Sequence, residues 1–434
     1  MTGPIWNPEA ETQAPAARAA LQLERLRQTV AWTVERVPFY RERLGAARLR
    51  ALEDLPALPF TRKTDLREHY PFGLFAVPTS ELARVHASSG TKGKPTVVGY
   101  TAGDLDVWRE VMARVLVAAG ARRGDMLHVA FGYGLFTGGL GFHDGAERAG
   151  LTVVPVSSGN TARHLLLLQD FRPAGLCGTP SFVLHIAESL AEQGVDPRTL
   201  GIRWGLFGAE PWTDGLRIAI ERAFGCRAHD VYGLSEIIGP GVAGECEARA
   251  GLHVCDDHFL PEIVAPATGA ALPPGREGEL VLTTLTKRAI PMIRYRTGDI
   301  TTLTTEPCRC GRTSARIARL KGRADDMLII KGVNLYPSEV ETALLGVEDL
   351  QPHYLLVVDR TATLARLEVQ VEPAPALLAR CEGFRADHPE MLAVQRRAAE
   401  HLRRVTGLGV DVVLVSPRTI PRSEGKAVRV VERT

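Results

Sequence analysis

The chain has 434 residues, about three times the size of a common single domain, and this length excludes a peptide hormone or a lone adaptor module. Its 52 basic and 50 acidic side chains nearly balance, and no run of like charge is long enough for a tail that binds nucleic acid. The sequence has no apolar run of roughly 18 residues, and we expect no secretory leader, because its first residues show neither a basic nor an apolar region. We therefore expect a soluble, cytoplasmic protein with no nucleic-acid or membrane partner.

The predicted elements begin with an amphipathic helical segment over residues 8–48, where apolar side chains recur at steps of three and four. From residue 126 onward, short apolar runs alternate with helical stretches, which predicts a mostly parallel sheet with helices on its faces. The predicted strands are 126–131, 151–156, 174–177, 204–207 and 229–232, and the helices are 162–171 and 181–193. Ligands of such sheets bind at the carboxyl ends of the strands, so we expect the site in the loops that follow them.

The second half of the chain has a different character. Residues 240–320 predict a β-rich subdomain with Gly/Pro turns, including strands at 278–284 and 292–295. A new unit follows; its predicted strands are 327–330, 354–358, 366–371 and 410–415, and its helices are 338–345 and 388–405. The fold class is therefore α/β, with a large N-terminal domain over 1–321 and a small α+β C-terminal domain over 327–434.

A loop rich in glycine and hydroxyl groups occupies residues 88–95. Its backbone N–H groups and lysines could converge on phosphate oxygens, and a solvated turn is the alternative interpretation. Pro95 excludes a Walker A loop, because that motif has a hydroxyl residue at this point. The candidate phosphate-binding residues are Ser88, Ser89, Gly90, Thr91, Lys92 and Gly93.

Three further motifs end predicted strands or the β-rich region. They are GAEP (208–211), YGLSE (232–236) and YRTGD (295–299). An aromatic ring beside glycine suits a purine face, and carboxylates suit a phosphate-bound Mg²⁺ or a ribose diol. Taken singly, Tyr232 also fits core packing, and Glu236 and Asp299 also fit a cap or a turn.

Six motifs in unbroken order resemble the adenylate-forming superfamily of acyl- and aryl-CoA synthetases, which includes adenylation domains and luciferases. They are SSGTKGKP (88–95), GAEP (208–211), YGLSE (232–236), YRTGD (295–299), GRADDMLIIKGVNLYPSEVE (322–341) and PRSEGK (421–426). Within the superfamily, the runs YGLSEIIGPGVAGEC, DDHFLPEIV and LTTLTKRAIPMIRYRTGD are most similar to the phenylacetate–CoA ligase family. The resemblance implies an enzyme that couples a carboxylic acid to AMP with release of pyrophosphate, after which the thiol of coenzyme A displaces AMP.

The resemblance also implies roles for individual residues. Lys426 would bridge the carboxylate and the α-phosphate, Glu236 would help to hold Mg²⁺, and Arg323 would contact ribose or phosphate. The 88–95 loop would hold the β- and γ-phosphates, and Asp299 would take the ribose hydroxyls. The other implied ATP or AMP contacts are Gly208, Ala209, Glu210, Pro211, Asp230, Tyr232, Gly233 and Ser235.

A rotating C-terminal domain is a further implication of the resemblance. In this family the small domain moves between an adenylating pose and a thioester-forming pose. Asp325 matches the hinge position within residues 322–326, and a short polar joint suits large changes in φ and ψ. The loop over 331–336 would line the path of the thiol in the second pose. Many relatives are homodimers, which makes a homodimer a candidate state of this chain.

Four side chains of the β-rich region have the composition of a closed structural zinc site. Cys308 and Cys310 are one residue apart, and Cys246 and His253 come from a segment after the YGLSE motif. Together they would complete a tetrahedral set of three thiolates and one imidazole. Cys255 competes with His253 or Cys246 as a ligand, and unpaired reduced cysteines in turns are the alternative.

The aromatic and Gly-rich stretch around residues 131–147 is the predicted acyl pocket, in which Tyr133 and Phe136 could sandwich an aryl ring. Asp144 stands where we expect tyrosine in phenylacetate ligases, and its carboxylate would accept hydrogen bonds from an amino or hydroxyl substituent. We therefore expect an amino- or hydroxy-substituted benzoate, such as a hydroxyanthranilate; a solvent-facing helix cap is the alternative role of Asp144. The other pocket candidates are Gly138, Phe142, His143, Ala209 and Ile237.

Several alternatives stay open at this point. The acid could be phenylacetate itself, and the acceptor could be a phosphopantetheinyl carrier protein in place of coenzyme A. A catalytically silent nucleotide-binding regulator would keep the fold without turnover, although the presence of Lys426, Glu236 and Asp299 argues against it.

Overall fold

The computed structural model describes residues 4–45, 47–88, 95–330, 333–359, 366–423, 425 and 427–433. The chain divides into two compact units. The first comprises Met1–Gly178, Leu200–Ala209 and Arg227–Leu320, and the second comprises Thr179–Thr199, Glu210–Cys226 and Lys321–Thr434. Across the described ranges, no helix combines the length and the apolar character needed to cross a bilayer.

The helices of the described chain follow in order. They are α1 (Pro8–Glu11), α2 (Pro15–Arg36), α3 (Pro38–Leu44), α4 (Lys63–Glu68), α5 (Ala102–Ala118), α6 (Thr137–Arg148), α7 (Thr161–Phe171), α8 (Pro180–Glu192), α9 (Asp214–Phe224), α10 (Pro337–Leu345), α11 (Pro375–Arg380) and α12 (Pro389–Thr406). Short 3₁₀ turns cover Leu52–Ala57, Thr79–Glu81 and Pro197–Leu200. The predicted single helix over 8–48 is divided into three, because Pro15 and Pro38 each start a new helix.

The strands are short. They are β1 (Arg84–Ala87), β2 (Val97–Tyr100), β3 (Met126–Val129), β4 (Thr152–Val154), β5 (Gly175–Gly178), β6 (Trp204–Gly208), β7 (Arg227–Leu234), β8 (Gly239–Glu245), β9 (Leu252–Val254), β10 (Phe259–Val264), β11 (Gly278–Thr284), β12 (Tyr295–Thr301), β13 (Leu303–Thr304), β14 (Arg316–Ile317), β15 (Gly322–Arg323), β16 (Leu328–Ile330), β17 (Val333–Leu335), β18 (Leu350–Asp359), β19 (Arg366–Pro373), β20 (Asp411–Leu414) and β21 (Val430–Arg433).

The first unit is built on a sheet with the order β13-β14-β9-β8-β7-β6-β5-β3-β4. Strands β4, β3, β5, β6 and β7 are parallel, and β8, β9, β14 and β13 continue the sheet in antiparallel pairs. Every residue of β5 and β6 is buried, as expected for parallel strands covered on both faces. The predicted α/β class and the parallel arrangement of these strands are confirmed.

Strands β10, β11 and β12 form the β-rich part of this unit in antiparallel pairs. The predicted strand from residue 292 is wrong over its first residues, because β12 starts only at Tyr295. The N–H groups of Met292 and Arg294 donate to the hydroxyls of Thr284 and Thr283, at 2.8 and 3.0 Å. Arg294 also has a φ of 46°, in the left-handed region. The Thr284 N–H still donates to the Met292 carbonyl oxygen at 2.9 Å, so side-chain hydroxyls replace only part of the backbone pairing before the strand begins.

Gly233 permits a close approach of β7 and β8. A Cβ atom at this position would lie 1.9 Å from the carbonyl oxygen of Gly239, which belongs to the backbone and has no room to move. We expect Gly233→Ala to lower the free energy of unfolding by about 1–3 kcal/mol, as overpacking does. Gly103→Ala is the matched control in a denaturant titration, because its Cβ would meet only the Thr101 hydroxyl at 3.8 Å. An equal change in both variants would contradict this explanation.

The second unit contains a sheet of order β20-β19-β18-β21, in which β18 and β19 are antiparallel and the two outer pairs are parallel. Helices α10 and α12 pack together, α10 against β18 and α12 against β20. The buried side chains of these elements form their own hydrophobic core, which includes Val340, Leu356 and Met391. The predicted α+β character of the C-terminal region is confirmed, whereas the hinge and the domain limits stay predictions.

Candidate active site

Two predicted nucleotide contacts, Tyr232 on β7 and Asp299 on β12, lie side by side in the first unit. The Tyr232 hydroxyl donates to Asp299 Oδ2 at 2.6 Å, and both residues are buried. The backbone N–H of Asp299 also donates to the Thr297 hydroxyl at 3.0 Å. A hydrogen bond to a carboxylate is short and strong, so Tyr232 fixes the orientation of the Asp299 side chain. The structure thus brings together the predicted purine-side ring and the predicted ribose-side carboxylate.

Glu236 lies in the turn after β7, next to two lysines that the sequence analysis did not identify. Its Oε1 lies 3.5 Å from Lys63 Nζ, and its backbone carbonyl oxygen accepts a hydrogen bond from Lys287 Nζ at 3.3 Å. Burial lowers the pKa of Lys287 to about 8, and its ammonium lies 4.7 Å from the centre of the Tyr100 ring. Positive charge is therefore concentrated around the turn predicted to face phosphate and Mg²⁺. Thr286 and Arg288 flank Lys287, so the sequence carries no signal that this lysine is buried.

The loop after β6 has a constrained backbone. Gly208 is the last residue of β6, and a Cβ there would lie 2.3 Å from the Val231 carbonyl oxygen. Ala209 follows with a φ of 67°, a conformation that non-glycine residues seldom adopt. Strained backbone of this kind is concentrated at binding sites. The strain at Ala209 lies at the carboxyl end of a parallel strand, where the sequence analysis expected a ligand.

Two more predicted nucleotide contacts, Ser235 and Asp230, take part in a hydrogen bond and an ion pair, respectively. The Ser235 hydroxyl lies 3.0 Å from the hydroxyl of Thr137, the first residue of α6. Asp230 Oδ2 lies 3.5 Å from Arg319 Nε. Both residues are buried. Their contacts therefore help to fix β7, which carries Tyr232, and the turn that follows this strand.

Several predicted residues fall outside the described part of the chain. They are Ser89, Gly90, Thr91, Lys92, Gly93 and Lys426. Ser88 is described, and its N–H donates to the Thr96 carbonyl oxygen at 2.9 Å, so the two ends of the predicted phosphate loop are joined.

In the second unit, Glu210 contacts the backbone at two places, and its predicted nucleotide contact stays a prediction. Its carboxylate oxygens accept the backbone N–H groups of Ser181 and Ala427, at 2.8 and 2.9 Å. Arg323 Nε donates to Asp325 Oδ1 at 2.9 Å, which connects the predicted ribose contact to the predicted hinge residue. Pro211 lies three residues before the first residue of α9.

Three residues of the predicted acyl pocket, Phe142, Tyr133 and His143, contact other side chains of the protein. Phe142 is buried and stacks on Phe131 with ring centres 4.9 Å apart, so it lies in the core. The Tyr133 hydroxyl lies 3.2 Å from His143 Nδ1, and His143 Nε2 lies 3.1 Å from a carboxylate oxygen of Glu147. The remaining candidates are the partly buried Phe136, the buried Gly138 on α6 and the fully buried Ile237.

Asp144 lies inside α6 and is paired with Arg84 of β1. Arg84 Nη1 donates to Asp144 Oδ2 at 2.7 Å, and only 11% of the Asp144 side chain is exposed. Asp144 is therefore not a solvent-facing helix cap. Arg84 already serves as the partner of this carboxylate. Asp144 therefore does not need a polar substituent on the substrate to compensate its charge.

The four predicted zinc ligands form one buried cluster in the first unit. The ligand atoms of Cys246, His253, Cys308 and Cys310 all lie within 4.8 Å of one another. Cys246 Sγ is 3.9 Å from Cys308 Sγ, and Cys310 Sγ is 3.4 Å from His253 Nε2. The opposite ring nitrogen of His253 lies 3.1 Å from the Ser314 hydroxyl, which holds Nε2 toward the sulfurs.

Comparisons with known proteins agree with these features. The model of the AMP-binding enzyme family matches residues 76–285, and that of the AMP-binding enzyme C-terminal domain matches residues 332–434. The chain is 52% identical to a phenylacetate-coenzyme A ligase of Thermus thermophilus, over 98% of each chain.

Solved structures of another acid–CoA ligase are similar to this chain over nearly its whole length. A 2-hydroxyisobutyryl-CoA ligase, in the postadenylation state with R3-HIB-AMP, is 32% identical and superposes with a TM-score of 0.92 over 99% of this chain and 92% of the other. The same enzyme with 2-HIB-AMP and CoA, in the thioesterification state, is 33% identical with a TM-score of 0.72 over the same shares. The chain is thus an AMP-forming acid–CoA ligase that belongs to the phenylacetate–CoA ligase family of adenylate-forming enzymes.

Proposed function

We propose that this enzyme activates phenylacetate, or a closely related arylacetate, and transfers it to coenzyme A in the cytoplasm. The observation that carries the proposal is the 52% identity to a phenylacetate-coenzyme A ligase over nearly the whole of both chains. The Asp144–Arg84 ion pair supports it, because a carboxylate that already has a cationic partner gives no reason to prefer an amino- or hydroxybenzoate. The seven free cysteines suit a reducing compartment.

The reaction has two steps. A carboxylate oxygen of the acid bonds to the α-phosphorus of ATP, and the bond from that phosphorus to pyrophosphate breaks. The sulfur of coenzyme A then bonds to the carbonyl carbon, and AMP leaves as the acyl–oxygen bond breaks. The phosphoryl leaving group makes the second step feasible, since an unactivated carboxylate would have to expel oxide.

Each of the predicted site residues would have a separate part in binding. Asp299, oriented by Tyr232, would accept hydrogen bonds from the ribose hydroxyls. Glu236 would help to hold Mg²⁺, which, when bound, neutralises phosphate charge. Lys63, 3.5 Å from Glu236, adds a positive charge at the same turn. Lys426 would offset the repulsion between the acid and the α-phosphate as they meet.

We also propose that the cluster of Cys246, His253, Cys308 and Cys310 holds a structural zinc ion. Tetrahedral zinc with Zn–S bonds of about 2.3 Å separates its sulfurs by about 3.8 Å. The Cys246–Cys308 separation of 3.9 Å fits this value without rearrangement. All four residues are buried, which suits a closed structural ion and leaves no open position for a reactant.

The substrate assignment is tested by pyrophosphate exchange with phenylacetate, 2-aminobenzoate, 4-hydroxybenzoate and 3-hydroxyanthranilate. We expect phenylacetate to give the highest kcat/KM, by at least about tenfold, because a buried hydroxyl or amino group without a partner costs about 1–3 kcal/mol. A higher value with any substituted benzoate would overturn the assignment, and exchange with none of the acids would favour a silent regulator. Asp144→Asn should leave the order of the four acids unchanged.

The acceptor is tested in the second half-reaction. The purified enzyme with labelled acid and ATP is given either coenzyme A or a phosphopantetheinyl carrier protein. We expect a thioester of coenzyme A. Loading of the carrier protein alone would contradict the proposed acceptor while leaving the adenylation step intact.

A further inference from the structure

The peptide groups on both sides of Lys426 are held by side chains of the second unit. The Thr179 hydroxyl donates to the carbonyl oxygen of Gly425 at 2.7 Å. The N–H of Ala427 donates to Glu210 Oε2 at 2.9 Å. Lys426 is the single residue between these two contacts. The chain is therefore fixed immediately before and immediately after the proposed adenylation lysine.

Glu210 and Thr179 are placed for this task by the start of α8. The second oxygen of Glu210 accepts the N–H of Ser181, the second residue of α8, at 2.8 Å. Thr179 precedes the helix, but its side chain makes no capping hydrogen bond, and its hydroxyl reaches Gly425 instead. Hydrogen bonds to an ionised carboxylate are about twice as strong as those between neutral groups. Glu210 thus ties a helix terminus to the tail of the chain.

The tail has a second anchor shortly before the lysine. Arg422 Nη1 and Nη2 donate to the two carboxylate oxygens of Glu372, at 2.9 and 2.7 Å. Glu372 is fully buried, and its Oε1 also accepts the N–H of Ile420 at 3.1 Å. A bidentate pair of this kind fixes geometry as well as adding energy. The segment that approaches Lys426 therefore starts from a fixed point.

We propose that Glu210 and Thr179 are positioning residues for the adenylation step. This inference rests on the proposed role of Lys426 in that step. Catalytic side chains on loosely held segments have to be ordered at each turnover, and contacts that hold the neighbouring residues Gly425 and Ala427 would reduce that cost. In that proposed role, the Lys426 ammonium takes no part in the thioester step. Loss of the two contacts should therefore slow adenylation and spare transfer to coenzyme A.

The test uses Glu210→Gln and Thr179→Val in the full-length enzyme. Both variants keep the shape of the side chain. Glu210→Gln removes the charge and one of the two acceptor oxygens that bind the N–H groups of Ser181 and Ala427, and Thr179→Val removes the hydroxyl that donates to Gly425. We expect kcat for phenylacetate-dependent pyrophosphate exchange to fall on the order of 10- to 100-fold, as misplacement by about 1 Å does. The KM for ATP, and the rate of thioester formation from synthetic phenylacetyl-adenylate, should stay within about twofold.

Two control variants keep the same chemistry elsewhere in the unit. Glu192→Gln changes a residue of α8 that pairs with Arg418 at the surface, and Thr199→Val removes a hydroxyl that donates to Asp196. Both controls should leave the two half-reactions unchanged. A raised KM for ATP with unchanged kcat would instead place Glu210 at the nucleotide, and equal loss of both half-reactions would indicate a general structural role. Normal exchange in both test variants would overturn the inference alone, whereas no exchange in the unsubstituted enzyme would overturn the proposed function as well.

Discussion

Replacing Lys426 with alanine should reduce carboxylate-dependent pyrophosphate exchange by about 10²–10³-fold, the loss typical when one preorganised charge donor is removed from a transition state. In its proposed role, Lys426 offsets the negative charge that develops on the α-phosphate during adenylation and takes no part in the attack of the thiol. Thioester formation from synthetic phenylacetyl-adenylate should therefore stay near the unsubstituted rate. Stopped-flow or rapid-quench measurement of each half-reaction separates the two steps.

The matched control for Lys426→Ala is Arg433→Ala. Arg433 is a cation on the same tail, its side chain is 58% exposed, and its nearest acidic partner, Glu368, lies 3.5 Å away. Removing it should leave both half-reactions unchanged, because exposed ion pairs of this kind contribute little. If Lys426→Ala slows both half-reactions equally, its proposed role in adenylation is wrong.

Loss of the zinc cluster should have the second large effect, on stability. We expect the purified protein to contain about one zinc per chain, and Cys308→Ala/Cys310→Ala to contain almost none. Zinc binding to a folded site contributes directly to the free energy of folding. The unfolding temperature of the variant should therefore be about 5–10 °C lower than that of the unsubstituted protein. Atomic absorption gives the metal content, and calorimetry gives the unfolding temperature.

Cys255→Ala is the control for the zinc prediction. Cys255 is also buried, but it lies outside the cluster of four ligand residues. This variant should keep its full zinc content and lose only the packing of one thiol. Loss of the metal in Cys255→Ala, or full zinc in the double variant, would contradict the ligand assignment.

Sequence reasoning succeeded where the pattern is local. Buried parallel strands are continuous apolar runs, and β5 and β6 were predicted from them. The cluster of Cys246, His253, Cys308 and Cys310 was also predicted, because three thiolates and one imidazole make up a known ligand set of structural zinc. Antiparallel pairing of β8 with β9 and of β9 with β14 then brings these distant turns together.

The failures concern contacts between distant residues. Arg84 and Asp144 are 60 residues apart, so their ion pair depends on the packing of β1 beside α6. Glu210 and Ala427 are 217 residues apart, and nothing in the GAEP motif indicates a backbone partner near the end of the chain. The low pKa of Lys287 results from burial, which depends on the whole fold. The domain limits, the hinge at Asp325 and a homodimer stay predictions.

The burial of every cysteine has a practical consequence. All seven thiols are shielded from solvent, so a maleimide reagent should leave the native enzyme largely unmodified. Arg433→Cys would then offer one accessible thiol for a fluorophore on the tail. A dye at that site could report in real time when the tail changes its surroundings during a catalytic cycle, without removal of any native cysteine.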